Sequence, residues 1–300
     1  MRYAVTGGAG FVGSNLVRLL VKEGHEVTVI DNLHKGKREN LETVLHKIKF
    51  EKIDVRDFHD LDKILKDIDG VFHQAALTVV QDSFDNPEEY YDVNVKGTEN
   101  IFQLAKKHDF KVVYASSSSV YGHQSTMPVK ENAERNPINP YGKTKLDDEY
   151  LFEKYSKMGT KIIGLRYFNI FGKGQTLEYA GVITKFLDRI NQNQPPVIFG
   201  DGSQIRDFIF VGDIVIANLL AMKSSVSNSL INIGTGKAIT ILELANMIIE
   251  SSGQNLKPIF KNSLEGDIKK SQADISLAIN SLNWKPKKEL QSWLKEIFSE

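Results

Sequence analysis

A tyrosine and a lysine four residues apart, Tyr141 and Lys145, are the residues of this 300-residue chain whose types and spacing first suggest chemistry. They lie at the start of a predicted helix, residues 142–157, which follows the proline-rich segment 136–140. On a helix the two side chains share one face, one turn apart. Because a nearby ammonium favours phenolate over phenol, the pair predicts a base that takes a proton from a hydroxyl group.

Four consecutive serines, residues 116–119, leave a predicted strand just before that helix. Parallel sheets of α/β proteins bind ligands at the carboxyl ends of their strands, so these hydroxyls are expected near a ligand. A serine there can hydrogen-bond the oxygen that reacts. The alternative is a polar loop in which no serine has a special role.

A glycine-rich segment, T-G-G-A-G-F-V-G at 6–13, follows the first predicted strand. Gly7 allows a tight turn, Gly10 lets backbone N–H groups approach a pyrophosphate, and Gly13 lets the next helix pack closely on the sheet. The start of that helix favours an anion, because its first N–H groups are unpaired and its dipole is positive there. The segment therefore predicts a dinucleotide-binding loop.

Asp31 ends the second predicted strand and supplies the acid that such a loop requires. A carboxylate at this point accepts hydrogen bonds from a ribose diol and repels a 2′-phosphate, which favours NAD over NADP. Nearby Lys35, Lys37 and Arg38 favour the opposite choice. The alternative for Asp31 is a solvated turn acid.

Short apolar runs alternate with helical periodicity, which is typical of βαβ units. Strands are predicted at 3–6, 26–30, 49–53, 70–74, 111–116, 161–167 and 230–233, and helices at 13–23, 60–66, 94–107, 142–157, 241–251 and 290–298. The predicted class is α/β, a Rossmann-type doubly wound parallel sheet with a smaller C-terminal substrate-binding lobe. We expect residues 1–168 to form the NAD-binding domain, with about 212–235 returning to it, and 169–300 to form mainly the lobe.

Composition excludes several other classes of function. The 38 basic and 38 acidic residues balance, which argues against a nucleic-acid partner. The chain has no cysteine, which excludes disulfides and thiolate chemistry, and its seven histidines lack H-x-x-x-H spacing, so no metal site is expected. No apolar run reaches the roughly 18 residues of a membrane span. Because the sequence opens directly on a strand, we expect no signal peptide and a cytoplasmic location.

With these motifs, the chain resembles the extended short-chain dehydrogenase/reductases and, within them, the nucleotide-sugar 4-epimerases. The resemblance rests on T-G-G-A-G-F-V-G at 6–13, D-N-L at 31–33, H-Q-A-A at 73–76, N-V-K-G-T at 94–98, S-S-S-S-V-Y-G at 116–122, P-Y-G-K-T-K at 140–145, R-Y-F-N-I-F-G at 166–172 and R-D-F at 206–208. These motifs follow the family's order over nearly the whole chain.

The resemblance implies three sets of site residues. The catalytic set is Ser117, Tyr141 and Lys145. The NAD contacts are Gly7, Gly10, Phe11, Val12, Gly13, Asp31, Asn32, Asp54, Val55, Ala75, Ala76, Asn94, Tyr141, Lys145 and Tyr167. The substrate contacts are Ser117, Tyr141, Asn169, Arg206, Asp267 and Ser271. It also implies a homodimer that pairs through the helices at 94–107 and 142–157.

The implied reaction is 4-epimerisation of a UDP-hexose, UDP-glucose or UDP-galactose, through a transient 4-keto sugar. Dehydratases of the superfamily carry Asp-Glu where this chain has Ser118 and Ser119, so loss of water is disfavoured. The alternatives are a nucleotide-sugar oxidoreductase, a UDP-glucuronate 4-epimerase and, from another class, a non-catalytic NAD-binding regulator. The last of these would need none of the three catalytic residues.

The chain departs from the family pattern near the substrate. Relatives often have lysine at Thr78, and a diphosphate-binding arginine at Leu264; Lys261, Lys269 and Lys270 are candidates to replace that arginine. By the same alignment Ser271 faces the sugar's 2-substituent, and its small side chain predicts turnover of UDP-N-acetylhexosamines as well. Finally, the acidic run 147–149 is expected to form a solvated helix face.

Overall fold

Strands and helices alternate along the first half of the chain, as the periodicity predicts. The computed structural model describes residues 1–175 and 181–299. Its strands are β1 (Arg2–Thr6), β2 (Glu26–Ile30), β3 (Ile48–Glu51), β4 (Gly70–His73), β5 (Lys111–Ser117), β6 (Ile162–Tyr167), β7 (Asn169–Phe171), β8 (Val197–Phe199), β9 (Ile205–Phe210), β10 (Ser229–Ile233), β11 (Ala238–Thr240) and β12 (Ile259–Lys261).

The helices follow the same order along the chain. They are α1 (Phe11–Lys22), α2 (Phe58–Leu65), α3 (Val80–Asp85), α4 (Pro87–Tyr90), α5 (Gly97–His108), α6 (Pro140–Lys157), α7 (Val182–Asn191), α8 (Val211–Lys223), α9 (Ile241–Ser252), α10 (Ser276–Leu282) and α11 (Leu290–Ser299). A π-helical segment, Tyr91–Lys96, joins α4 to α5, and 3₁₀ segments cover Arg38–Lys47 and Ser118–Tyr121. No helix among the described residues is long and apolar enough to cross a membrane.

All seven predicted strands join one parallel sheet in the order β3-β2-β1-β4-β5-β6-β10. The Rossmann-type fold is therefore confirmed. The strand order reverses between β1 and β4, and a doubly wound sheet binds its ligand at that point, outside the carboxyl ends of the strands.

Both faces of the sheet are covered because its strands alternate apolar side chains between them. Tyr3 and Val5 of β1 point to a core shared with α1 and α8, whereas Ala4 points to a core shared with α2, α5 and α6. These strands are buried on both sides, which explains why they appear in the sequence as continuous apolar runs rather than alternating ones.

The chain leaves the large sheet after β6 and returns to it with α8 and β10, which pairs with β6. Between and after these elements lie a three-stranded sheet, β11-β9-β7, and a two-stranded sheet, β12-β8. A separate core fills this smaller region, with Phe171, Phe186, Leu244 and Trp293 among its buried members.

Helix α6 begins two residues before the predicted start of its helix, and the reason is local. The Asn139 carboxamide oxygen accepts a hydrogen bond from Gly142 N at 2.7 Å, and Pro140 occupies the first turn, where its missing N–H costs nothing. Helix α5 begins at Gly97, later than predicted, because the preceding residues adopt the wider π-helical winding.

Candidate active site

A cavity of about 560 Å³ lies at the carboxyl ends of the central strands. Gly7 follows β1, Gln74 follows β4, Ser117 ends β5 and Phe168 follows β6, and all four residues line it. A smaller cavity of about 140 Å³ shares Gly7 and Gln74 with it and extends to Asp31. The two cavities together span the point where the strand order reverses.

The glycine loop has the geometry that its spacing predicts. Gly7 has a φ of +64°, and a Cβ atom there would lie 2.7 Å from the backbone of Ala75. Gly10 caps α1 without any side-chain hydrogen bond, and Gly10, Phe11, Val12 and Gly13 line the larger cavity. The unpaired N–H groups at the start of α1 therefore lie beside this cavity, where they fit a pyrophosphate.

Asp31 is buried at the end of β2 and is held by the loop it follows. Its Oδ2 accepts a hydrogen bond from Ala9 N at 2.9 Å, and its Oδ1 accepts one from Leu33 N at 2.8 Å. Burial raises the pKa of Asp31, and the two backbone hydrogen bonds oppose that rise. Each oxygen keeps a lone pair for a ribose hydroxyl, so the residue fits the role predicted for it.

Beyond Asp31, Asn32 and Val55 also line the smaller cavity, as expected for nucleoside contacts. Asp54 does not line it. Its carboxylate accepts two hydrogen bonds from the Arg56 side chain, at 2.9 and 2.7 Å, and one from Asn32 Nδ2 at 2.8 Å. The Arg56 guanidinium lowers the pKa of Asp54 to about 2 against the cost of burial. A direct contact between Asp54 and the cofactor stays a prediction.

Asn94 is fully buried beneath the loop that follows β4 and lines neither cavity. Its side chain accepts from Leu77 N at 2.8 Å and donates to Leu77 O and to Thr144 Oγ1, both at 3.0 Å. Ala75 and Ala76 of the same loop line the smaller cavity. Asn94 thus fixes the backbone of this loop, and its predicted contact with the cofactor is untested.

Ser117, Tyr141 and Lys145 line one cavity, although Ser117 ends β5 and the other two belong to α6. Tyr141 N donates to Ser83 Oγ at 3.1 Å, which ties the start of α6 to α3. Ser117 Oγ accepts from Ser119 N at 3.1 Å, and its hydroxyl hydrogen remains available to a ligand. The structure therefore assembles the predicted proton-transfer group from distant parts of the chain.

Lys145 is 3% exposed, and its Nζ lies 3.0 Å from Asp148 Oδ2 and 3.2 Å from Ala115 O. Burial lowers the pKa of Lys145, but the carboxylate of Asp148 and the other nearby acidic groups outweigh it, so the net pKa is raised. The side chain is a cation at neutral pH, as the activation of Tyr141 requires.

The prediction that residues 147–149 form a solvated helix face is wrong for two of these three acidic residues. Only Asp147 is partly exposed, in a pair with Lys143, whereas Asp148 and Glu149 are fully buried. Glu149 accepts from Ser116 Oγ and from Arg166 Nε, both at 2.7 Å. Its position is fixed by partners on β5 and β6, which no local pattern reveals.

Tyr167 and Asn169 line the larger cavity at the end of β6 and the start of β7. The Tyr167 hydroxyl is hydrogen-bonded to Asn218 Oδ1 at 3.0 Å and lies 3.2 Å from Gln74 Oε1. Burial raises the pKa of Tyr167, so this phenol stays neutral and has a structural role. Tyr141, for which the role of base is predicted, lines the same cavity.

The substrate end of the cavity contains Arg206, which is largely buried and forms an ion pair with Asp267. Leu264, at the position where relatives have arginine, also lines the cavity. None of the candidate replacements Lys261, Lys269 and Lys270 is among the described lining residues. Another lysine, Lys185 of α7, does line the cavity. It was not predicted because the sequence around it has no motif that indicates a binding role.

Ser271 is buried and lines the same cavity. The segment that contains it is held to β9, since Ser271 N donates to Ile205 O at 3.0 Å and the buried Asp207 accepts from Ala273 N at 3.1 Å. Asp207 is the middle residue of the R-D-F motif at 206–208. In the structure it anchors the strand-like segment that presents Ser271.

Fold and cavity together define a Rossmann-type α/β protein of the class that binds dinucleotides. The model of the NAD dependent epimerase/dehydratase family matches residues 3–234 of the chain. A putative UDP-glucose 4-epimerase from Methanocaldococcus jannaschii is 41% identical, covering 98% of this chain and 96% of the relative. The chain belongs to the NAD-dependent epimerase/dehydratase family, and its cofactor is NAD.

Solved structures of nucleotide-sugar epimerases superpose closely on this chain. The UDP-N-acetylglucosamine 4-epimerase from Methanobrevibacter ruminantium, in complex with UDP-N-acetylmuramic acid, gives a TM-score of 0.93 at 39% identity and covers 99% of this chain and 97% of its own. The UDP-glucose 4-epimerase from Thermotoga maritima, with UDP-glucose, gives a TM-score of 0.95 at 34% identity and covers 100% of this chain and 98% of its own. These likenesses support NAD-dependent nucleotide-sugar epimerase activity.

Proposed function

We propose that this protein catalyses the reversible 4-epimerisation of UDP-hexoses, both UDP-glucose/UDP-galactose and their N-acetylated forms, through a transient 4-keto sugar. The observation that supports this most directly is the convergence of Ser117, Tyr141 and Lys145 on the cavity that the glycine loop also lines. A binding protein without catalysis needs none of these three side chains.

The chain's own residues divide the proton chemistry among them. The Tyr141 phenolate removes the proton from the 4-hydroxyl group, and Ser117 hydrogen-bonds the same oxygen as it becomes a carbonyl. The buried Lys145 ammonium stabilises the phenolate and so keeps the base available. NAD, which the glycine loop and Asp31 would hold, would supply the acceptor and donor of hydride. Tyr141 then returns its proton to the oxygen after the keto sugar has turned over.

Elimination of water is disfavoured by the charges around the cavity. Among the described residues that line it, Asp267 is the one carboxylate, and it is paired with Arg206. Ser118 and Ser119 also line it and offer hydroxyls only. Dehydration needs both an acid and a base at the sugar, so reversible oxidation at one carbon is the reaction this lining supports.

The diphosphate of the substrate requires positive charge at the far end of the cavity. Arg206 supplies a guanidinium whose pairing with Asp267 fixes its direction. We assign a second contact to Lys185, because it lines the cavity where Leu264 has removed the family's other cation. A lysine is a point charge without arginine's planar fork, so a less tightly oriented diphosphate is expected.

The size of Ser271 supports acceptance of a 2-acetamido group. The residue is fixed by backbone hydrogen bonds and lines the cavity, so its small side chain leaves space that a large one would fill. The Methanobrevibacter relative is named for UDP-N-acetylglucosamine, and relatives named for UDP-glucose and UDP-glucuronate are also similar.

A panel of UDP-, dTDP- and GDP-sugars, with 4-epimer formation followed by NMR, tests the proposal. We expect interconversion of UDP-glucose with UDP-galactose and of UDP-N-acetylglucosamine with UDP-N-acetylgalactosamine, with no net change in NADH. Exclusive turnover of UDP-glucuronate, or stoichiometric use of added cofactor, would replace the proposal with a uronate epimerase or an oxidoreductase. Ser271→Tyr should abolish turnover of the acetylated sugars and retain that of the plain ones.

We also propose that the protein is a homodimer that pairs through α5 and α6. Tyr150 of α6 and Tyr91, just before α5, are 49% and 46% exposed, so each leaves part of an aromatic ring available to a second copy of the chain. Light scattering after size-exclusion chromatography measures the mass directly, and a monomer at micromolar concentration would contradict the assignment. Tyr150→Glu should then shift a dimer towards monomer.

A further inference from the structure

A buried acid that the reaction itself does not use lies beside the site lysine. Asp148 is fully buried, and its Oδ2 is 3.0 Å from Lys145 Nζ. Within the described part of the chain no group hydrogen-bonds its Oδ1, which is also shielded from water. Burying a carboxylate in this way is costly, so its presence next to a reactive lysine needs an explanation.

Asp148 influences Lys145 more strongly than the other acidic groups around it. His73 of β4 is buried, and burial, with the charge of Lys145, lowers its pKa to about 3, so it is neutral. Tyr114 of β5 has its pKa raised by burial and is neutral as well. Glu149, the next residue on α6, is engaged with Arg166. Asp148 is the carboxylate closest to the ammonium among the described residues.

The geometry around Lys145 Nζ also restricts its direction. An ammonium has three N–H donors, and here two of them have fixed acceptors, Ala115 O at 3.2 Å and Asp148 Oδ2 at 3.0 Å. The third donor is left for the cavity, which Lys145 lines. Neither acceptor can move freely, because Ala115 belongs to β5 and Asp148 is packed on the inner face of α6.

We propose that Asp148 is a positioning residue for the proton-transfer group: its carboxylate keeps the Lys145 ammonium charged and directs its third N–H into the cavity. The inference rests on the roles proposed above for Tyr141 and Lys145. It assigns Asp148 no contact with substrate or cofactor, since Asp148 does not line either cavity.

The sign of the effect follows from the two influences on Lys145. Burial lowers the pKa of Lys145, and the carboxylate of Asp148 is the largest of the influences that raise it. Replacing Asp148 with asparagine keeps an oxygen that accepts from Lys145 but removes the charge. The influences that oppose burial are then weaker, and Lys145 loses its proton at a lower pH. An opposite charge at this distance shifts a pKa by about 1–3 units, which sets the size expected.

The test compares Asp148→Asn with Asp147→Asn, its neighbour on α6. Asp147 also pairs with a lysine, Lys143, but at the partly exposed surface. In Asp148→Asn the pH at which kcat falls to half of its plateau on the alkaline side should decrease by at least about one unit. One pH unit above that new midpoint, kcat should be about tenfold below the plateau. KM should stay unchanged, and Asp147→Asn should show the wild-type profile. An unmoved limb in Asp148→Asn overturns the proposal.

A second measurement needs no activity and separates this inference from the proposed function. Carbon-13 NMR of lysine Cε in the cofactor-free protein, with Lys145 assigned by its absence in Lys145→Met, reports the pKa of that group directly. We expect it to fall in Asp148→Asn even if no sugar in the panel is turned over. Equal values in both proteins would show that Asp148 has only a structural role.

Two further variants keep the test decisive. Asp148→Glu retains the charge and should restore the alkaline limb, although the longer side chain displaces the ammonium and lowers kcat at every pH. If Asp148→Asn does not fold, Asp148→Ser makes the same change of charge and leaves room for a water molecule. If Lys145 has the same pKa by NMR in Asp148→Ser as in the wild type, the proposal is also refuted.

Discussion

A Cβ atom on Gly13 would lie 2.1 Å from the carbonyl oxygen of Gly7, a distance at which one of the two backbones must move. Helix α1 thus rests directly on the glycine turn, which holds its first N–H groups at the cavity. We expect Gly13→Ala to cost about 1–3 kcal/mol of stability and to reduce NAD affinity at least tenfold. Calorimetric titration with NAD and chemical unfolding measure the two effects.

Gly24 offers a matched control for that variant. It has a φ of +78° in the turn after α1, and a Cβ atom there would meet no atom of the described residues within 4 Å. Gly24→Ala therefore has only the conformational cost, about 1 kcal/mol, and should bind NAD normally. If both variants lose NAD affinity equally, the loss follows stability rather than the loop geometry.

Asp31 is expected to determine the choice between NAD and NADP. Asp31→Asn removes the charge that favours a ribose diol and repels a 2′-phosphate, so NAD affinity should fall about 10–100-fold while NADP affinity rises or holds. Because burial raises the pKa of Asp31, wild-type NAD affinity should also weaken as the pH falls through this raised pKa and the carboxylate takes up a proton. Titrations with both cofactors at several pH values check this, and an unchanged ratio would assign the preference elsewhere.

Tyr141→Phe should fold, retain NAD and lose about 10²–10⁴-fold in kcat. The hydrogen bond that ties the start of α6 to Ser83 uses the Tyr141 backbone N–H and survives the change. Tyr150→Phe, which removes an exposed phenol from the same helix, is the control and should be fully active. Turnover of Tyr141→Phe within a few-fold of wild type would remove Tyr141 from the role of base.

The central sheet and the glycine loop were predictable because their signals are local. Each strand is a short apolar run, and Gly7, Gly10 and Gly13 lie within one turn and the start of one helix. The tyrosine–lysine pair was predictable for the same reason, since helical spacing alone places both residues on one face.

Residues that depend on distant partners were not predictable. Asp148 and Glu149 belong to a charged run in the sequence. They are buried because α6 packs on β5 and β6, where Ser116 and Arg166 donate hydrogen bonds to Glu149. Lys185 was missed because it reaches the cavity only through the packing of α7 in the smaller region of the chain. Helix α5 begins later than predicted because no sequence pattern indicates the π-helical segment that precedes it.

The Arg56–Asp54 pair predicts a defined acid dependence of stability. The pKa of Asp54 is lowered from 3.8 to about 2 in the folded protein, chiefly by Arg56. The carboxylate therefore stabilises the fold fully above pH 3.8 and loses this contribution as the pH falls towards 2. Because the pair is partly exposed, we expect less than about 1 kcal/mol. Unfolding of Arg56→Met should show a flatter acid limb than Lys52→Met, which removes an exposed lysine beside it.

Glu149 should be far more important to stability than its place in an acidic run suggests. Its two oxygens accept from Arg166 Nε at 2.7 Å and Arg166 Nη2 at 2.8 Å, and both side chains are almost fully buried. Glu149→Gln leaves the guanidinium of Arg166 buried without its counter-charge, which costs about 3–5 kcal/mol. Glu153→Gln, on the same helix, breaks only a surface pair with Arg135 and should cost less than about 1 kcal/mol. Urea unfolding at neutral pH compares the two, and similar midpoints would show that water reaches Arg166 when Glu149 is gone.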